Sequence, residues 1–150
     1  RLSELLRYMI YDSDTQAVQL EQEVKHLEAF IELMLLKYRQ DSQPDLHFEV
    51  DINPGQQIVP LILLPFVENA FKHGISNQGQ GFIHIQLSAT EGIHFSVSNS
   101  LQPNRVPARD QSGIGLENVR RRLEHAYGQR FDLSTGVEGE AFQVNLEIRP

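Results

Sequence analysis

Apolar residues recur along this chain at two different periods, and the change from one to the other divides it. Leu2, Leu5, Leu6, Met9 and Ile10 fall on one stripe of an amphipathic helix. Asp12-Ser13-Asp14 breaks that stripe as a short polar turn. A second helix is predicted from about Val18 to Gln40, where Leu20, Val24, Leu27, Ile31, Met34 and Tyr38 alternate steps of four and three. That spacing is a heptad seam, and Phe30 and Leu35 widen it. The seam can pack on its own domain, or against a partner helix or second copy, and the pattern leaves both open. No capping residue precedes Arg1, so the chain is expected to be a piece of a longer protein.

Around Asp41 to Pro44 the sequence turns polar and the period falls to about 2. A boundary is placed there, between a helical part, 1–42, and a second domain, 43–150. Leu46, Phe48, Val50 and Ile52 predict a half-buried strand, ended by the turn residues Asn53-Pro54-Gly55. The apolar stretch from Ile58 to Phe71 contains Pro60 and Pro65. Proline suits the first turn of a helix, so the main helix is placed from Pro65, after a turn from Pro60, with Gly74 as its left-handed cap. Ile83, Ile85 and Leu87, then Ile93, Phe95 and Val97, predict a hairpin turning at Glu91-Gly92. Ser98 to Ser112 is polar and aperiodic, a length of loop that is usually functional or disordered. Helix returns from about Leu116 to Tyr127 and ends at Gly128. Two strands close the chain, Phe131 to Thr135 and Ala141 to Ile148, joined through Gly136 to Gly139.

Composition then narrows the class. The chain has 150 residues and a net charge of -7, which argues against a nucleic-acid binder, since such affinity rests largely on basic side chains. Zero cysteines exclude a disulfide framework, a zinc knuckle and a thiol nucleophile. No apolar run reaches the roughly 18 residues of a transmembrane helix, and no signal-peptide series opens the chain.

Three places could carry chemistry. In the segment Leu64 to Gly74, Glu68 and Lys72 are four apart on the predicted helix, as are Asn69 and His73, so two polar ridges share one edge while Val67, Ala70 and Phe71 face the core. An oxygen ligand, a cation and an imidazole on one edge suit Mg²⁺ and phosphate oxygens; an exposed ion pair is the plainer alternative. Gly113-Ile114-Gly115-Leu116 stands where the long loop meets a helix, and glycines there let backbone approach an anion at a helix N-terminus. The following Arg120, Arg121 and Arg122 read as a solvated face pairing with Glu117 or Glu124. Asn99, at the end of a strand that feeds the loop, is a binding residue or a strand-terminating turn residue.

Taken in this order, the segments RLSELLRYMIY, VQLEQEVKHLEAFIELMLLKYR, IVPLILLPFVENAFKHG and SGIGLENVRRRLEHAYG resemble the GHKL ATPase superfamily. Within it they resemble the catalytic domain of LytS/YehU-type sensor histidine kinases, over almost the whole chain and least well in the last strands. The resemblance implies an α/β two-layer sandwich of the Bergerat type, a mixed sheet covered on one face by helices and preceded by a helical segment. It implies ATP and Mg²⁺, with Asn69 as the N-box metal ligand and Glu68 assisting proton removal from the phosphoacceptor. Lys72 and His73 would contact phosphates or ribose. Gly113, Ile114, Gly115 and Leu116 would form a glycine box at the hinge of an ATP lid, here Ser100 to Ser112. It implies further a homodimer in the full-length protein, with 1–42 as remnant of the dimerisation region, and a response-regulator partner. The chain would be the cytoplasmic domain of a bacterial protein anchored in the inner membrane by segments it does not contain.

Three departures qualify these expectations. Asn99 stands where most histidine kinases carry an acid against adenine, and an amide can still pair with the adenine edge. Gly139-Glu140-Ala141 replaces a late Gly-Thr pair. The phosphoacceptor motif of P-H-F-L-F-N type is missing, and none of His26, His47, His73, His84, His94 and His125 is a good substitute. This chain is therefore expected to bind ATP without phosphorylating itself at the family's site. Two other readings stand beside the kinase: a non-catalytic GHKL-fold adaptor, and a GHKL serine kinase or ATPase.

Overall fold

The computed structural model describes residues 17–102 and 109–150, with the backbone alone over 109–114. The helix predicted over Leu2 to Ile10 lies outside the described residues. In chain order the elements are β1 (Val18–Gln19), α1 (Leu20–Leu35), β2 (Asp45–Ile52), β3 (Gln57–Ile58), α2 (Leu64–Gly74), β4 (Phe82–Ala89), β5 (Ile93–Ser100), α3 (Arg109–Tyr127), β6 (Phe131–Glu138) and β7 (Ala141–Ile148).

Five strands form one mixed sheet in the order β2-β4-β5-β7-β6, with β2 and β4 parallel and the other neighbours antiparallel. Alternation decides its faces. Ile83, Ile85 and Leu87, Ile93, Phe95 and Val97, and Val144, Leu146 and Ile148 are all buried on one side. Against that side lie Phe66, Val67, Ala70 and Phe71 of α2 and Val119 and Leu123 of α3, all buried. Phe66 meets Phe95 with ring centroids 6.1 Å apart. The intervening residues, such as His84, Gln86, His94 and Glu147, form an open polar face. The two-layer sandwich with helices on one face is thus realised.

The heptad seam packs on its own domain: Leu20, Val24, Leu27 and Ile31 join the same core as the sheet, and Phe30 meets Phe71 edge-on at 6.1 Å. The helix is shorter than expected at both ends. Val18–Gln19 instead pair antiparallel with Gln57–Ile58 as a two-stranded ribbon. After Leu35, tight turns take over, with the Tyr38 N–H and the Gln43 side chain donating to the Leu35 carbonyl.

Three other boundaries differ. The strand before the expected long loop runs to Ser100, and α3 starts at Arg109, so Gly113-Ile114-Gly115 has helical backbone and does not lie at the loop–helix junction. Helical glycine costs about 1 kcal/mol against alanine, which the continuing hydrogen-bonded helix can outweigh. The final hairpin is tighter, with β6 extending to Glu138 and Gly139 taking the positive φ of 63°.

A polar clamp holds the chain entering α2. Leu61 adopts φ 61°, a left-handed conformation that costs an L-residue about 1–2 kcal/mol. Its N–H donates to the Glu23 carboxylate of α1 at 2.6 Å, and its carbonyl accepts from Arg122 of α3 at 3.0 Å. Arg122 also donates to the Pro60 carbonyl, and the Val59 N–H donates to the Tyr127 hydroxyl at 2.9 Å. Glu23 is 1% exposed, a buried carboxylate to which the apolar pattern gives no pointer. Of the three consecutive arginines, Arg121 pairs with Glu117 at 3.0 Å as anticipated, whereas Arg122 is structural. Glu23→Ala should destabilise the fold by about 2 kcal/mol, the loss expected when a buried donor loses a charged acceptor, measured by urea denaturation.

Candidate functional site

The site grows from the polar edge of α2. Pro65 stands in the first turn, and the apolar face of the helix is fixed on β4 and β5. The remaining edge carries Glu68 and Lys72, both exposed, and Asn69 and His73, both half-buried. The two ridges are where the spacing placed them. Glu68, Lys72, Phe71 and Ile75 line a groove of about 570 Å³ whose other wall is Phe30, Met34, Lys37 and Tyr38. Loss of water in that setting raises the Glu68 carboxyl pKa above its ordinary value of 4.5. The Asn69 amide makes no hydrogen bond among the described residues, so its oxygen is available to a cation.

Asn99 lies against the C-terminal end of the same helix, beside Gly74, which helix rise places about 7.5 Å along the axis from Asn69. Asn99 is not a turn residue: it sits inside β5, paired with Ile83 and Phe142, and is 2% exposed. Its Nδ2 donates to the Ser100 carbonyl at 2.9 Å, which leaves the amide oxygen as the free acceptor among the described residues. Gly74 is no left-handed cap either, since its φ is not positive. It is glycine because a Cβ there would stand 2.8 Å from Asn99 Cβ and 2.9 Å from its Nδ2.

Ser100 and Gln102 complete this corner and were not singled out by sequence reasoning. The Ser100 hydroxyl donates to the Gly74 carbonyl at 2.7 Å and accepts from the Phe82 N–H at 2.9 Å. Gln102 Nε2 donates to the same Gly74 carbonyl at 2.9 Å. Gly81, at φ 133°, is held by the same crowding, because a Cβ would fall 2.3 Å from the Gly74 oxygen. The signal in sequence was the pair of glycines flanking the helix end, readable only once their neighbours are known.

The structure therefore brings together Glu68, Asn69, Lys72, His73 and Asn99. Gly115 and Leu116 lie on α3, which packs against α2; Leu116 touches the core, and Gly115 is exposed with open space where a Cβ would be. Among the described residues nothing packs where a Cβ of residue 115 would stand, which suits close approach by a ligand. The surroundings of Gly113, the side chain of Ile114, and residues 103–108 of the expected lid lie outside the described residues. For Mg²⁺ the donor set fits: one amide oxygen beside a carboxylate, few protein ligands being needed when phosphates supply the rest.

The catalytic domain of the histidine kinase ThkA superposes with a TM-score of 0.61 at 19% identity, covering 89% of this chain and 93% of that one. The fold is that of a histidine kinase catalytic domain. ThkA in its complex with the response regulator TrrA aligns at a TM-score of 0.56 and 17% identity, over 99% of this chain and 47% of ThkA. A histidine kinase family model matches residues 1–42. Sensor histidine kinase BtsS of Escherichia coli (strain K12) is 26% identical over 139 residues, 89% of this chain and 24% of BtsS. Sensor protein LytS of Staphylococcus saprophyticus is 24% identical over 162 residues, 99% of this chain and 27% of LytS. The resemblance to LytS-type sensor histidine kinases is borne out. This chain spans about a quarter of the length of these curated relatives.

Two outcomes follow from the site's geometry. Gly74→Ala should lose about 1–3 kcal/mol through overpacking against Asn99, and Asn99→Gly, which removes the atom struck, should recover part of it in denaturant unfolding. Glu68 carries a stability penalty with a defined sign. Well below pH 4.5 it is protonated in folded and unfolded chains alike; as pH rises the unfolded chain ionises first, and stability falls until pH passes the raised folded value. Glu68→Gln should accordingly unfold at a higher temperature than wild type at pH 7, with the gain shrinking toward pH 4.5. A gain that is the same at every pH would contradict the assignment.

Proposed function

We propose that this chain is the ATP-binding catalytic part of a two-component sensor histidine kinase, donating the γ-phosphate of ATP to a histidine outside it. The observation that carries this reading is the polar edge Glu68-Asn69-Lys72-His73 ending against a buried Asn99 on a histidine kinase catalytic fold.

Asn69 would hold Mg²⁺ through its amide oxygen, and that ion would offset the negative charge of the phosphates. Lys72 and His73 would steady phosphates or ribose, and Gly113 to Leu116, on the first turns of α3, would meet the nucleotide beside the lid. Asn99 keeps Nδ2 on the Ser100 carbonyl, so its oxygen is the group to accept from the adenine amino group. A carboxylate with a raised pKa suits Glu68 as the base that takes the proton of the acceptor imidazole. Positioning and charge neutralisation supply the rest of phosphoryl transfer. Residues 1–42 would belong to the region through which the full-length protein dimerises. A response regulator would take the phosphate, and a membrane anchor would lie in other segments.

One observation favours a second reading. An amide occupies the buried position at which most histidine kinases carry a carboxylate, and a degenerate, non-catalytic adaptor of the same fold would tolerate that change. The two separate in one assay. The chain, γ-labelled Mg-ATP and a separately supplied histidine segment of the P-H-F-L-F-N type should yield acid-labile phosphate on that segment. Glu68→Gln should slow the transfer by about 100-fold or more. An unlabelled segment despite an intact fold would support the adaptor, and acid-stable phosphate would support a serine kinase.

A further inference from the structure

Three ligand-type side chains meet at the edge of the open sheet face, away from the polar edge of α2. Asp45 and His47 are two residues apart on β2 and so share a face, and the parallel register sets His47 directly beside His84 of β4. Asp45 Oδ1 lies 3.0 Å from His47 Nε2, and Asp45 Oδ2 lies 3.8 Å from His84 Nε2. One ligand atom from each of the three lies within 4.8 Å of the others.

The imidazoles are partly pre-positioned. Their rings meet edge to face with centroids 4.9 Å apart, and the Phe82 ring backs His84 at the same distance. The Asp45 N–H donates to the Gly81 carbonyl at 3.0 Å, which anchors the start of β2. An exposed carboxylate shared between two histidines contributes about 0–1 kcal/mol, so stability alone is a weak reason for this grouping.

We propose that Asp45, His47 and His84 form a binding site for a divalent transition-metal ion of the zinc class. Two imidazoles and one carboxylate are a ligand set for Zn²⁺, whereas Mg²⁺ and Ca²⁺ take oxygens. Ligands at about 2.0–2.2 Å from a tetrahedral ion stand about 3.3–3.6 Å from one another, and the 3.0 and 3.8 Å separations from the two Asp45 oxygens fall on either side of that range. Small rotations of the imidazoles close the remaining spread, and they are free to turn, since the His47 and His84 side chains are 62% and 47% exposed. Three protein ligands leave a fourth position for water or a group from outside. The ion would tie the edge strand β2 to β4 where the chain passes from α1 into the sheet. It would thus stabilise the junction of helical part and sheet by mass action.

The test is calorimetric titration of Zn²⁺ into the untagged chain, with His47→Gln, His84→Gln and, as a control on the same open face, His94→Gln. The expected result is one Zn²⁺ per chain, undisturbed by excess Mg²⁺. Affinity should fall by about tenfold or more in His47→Gln and His84→Gln and stay unchanged in His94→Gln. The unfolding temperature should rise with Zn²⁺ in wild type and His94→Gln only. Absence of saturable binding, or equal binding in all four folded chains, would overturn the proposal.

Discussion

The close approach of the Gly74 backbone to the Asn99 side chain fixes how the polar edge of α2 meets the sheet. A helix ordinarily stands off a sheet by the length of its side chains; here the missing Cβ lets the last turn descend onto a strand residue. Its carbonyl is then met by Ser100 and Gln102, so a helix end that would leave a bare acceptor is satisfied from the sheet side. Everything assigned to the site follows from that seating. Glu68, Asn69, Lys72 and His73 are carried on the helix, and Asn99 is carried on the strand beneath its end. A shift of the helix by one residue would separate the amide on the strand from the amide on the helix.

The other end of α2 is held by different means. The segment from Val59 to Leu61 must turn sharply from ribbon to helix, and Leu61 takes a conformation that glycine would adopt more readily. The strain is offset by Glu23, Arg122 and Tyr127, which reach the strap's backbone from two helices. Burial raises the Tyr127 hydroxyl pKa and keeps the group protonated, the form that can both accept from Val59 and donate onward. One helix is thus located at both termini by backbone hydrogen bonds from neighbouring elements, while apolar packing along its length supplies most of the adhesion. Such a helix can present partly desolvated polar groups, as Glu68 is, without drifting from the sheet.

Much of this was legible in the chain because the sheet buries one face only. Alternation at Ile83-Ile85-Leu87 and Ile93-Phe95-Val97 gives strand, face and hairpin together, and the four-residue spacing of Glu68 with Lys72 and Asn69 with His73 gives the polar edge. What was hidden depends on distant partners. Nothing in the sequence singles out Glu23, because its acceptor role is set by a strained backbone 38 residues away. Gly74 reads as a helix cap because the strand residue pressing on it lies in another element. The start of α3 was misplaced because glycine disfavours helix locally, while the hydrogen-bonded helix that follows decides the matter. The meeting of Asp45, His47 and His84 needs the parallel register of β2 and β4, which no local pattern encodes.

In the proposed function, the α2 edge and Asn99 together form a nucleotide site completed by a metal on Asn69. The decisive experiment is calorimetric titration of Mg-ATP into this chain, with Asn69→Ala and a Mg²⁺-chelated sample alongside. Saturable binding to wild type is expected, lost both in the variant and on chelation. A folded chain that takes up no nucleotide at millimolar concentration, or binds it equally well in all three samples, would contradict it.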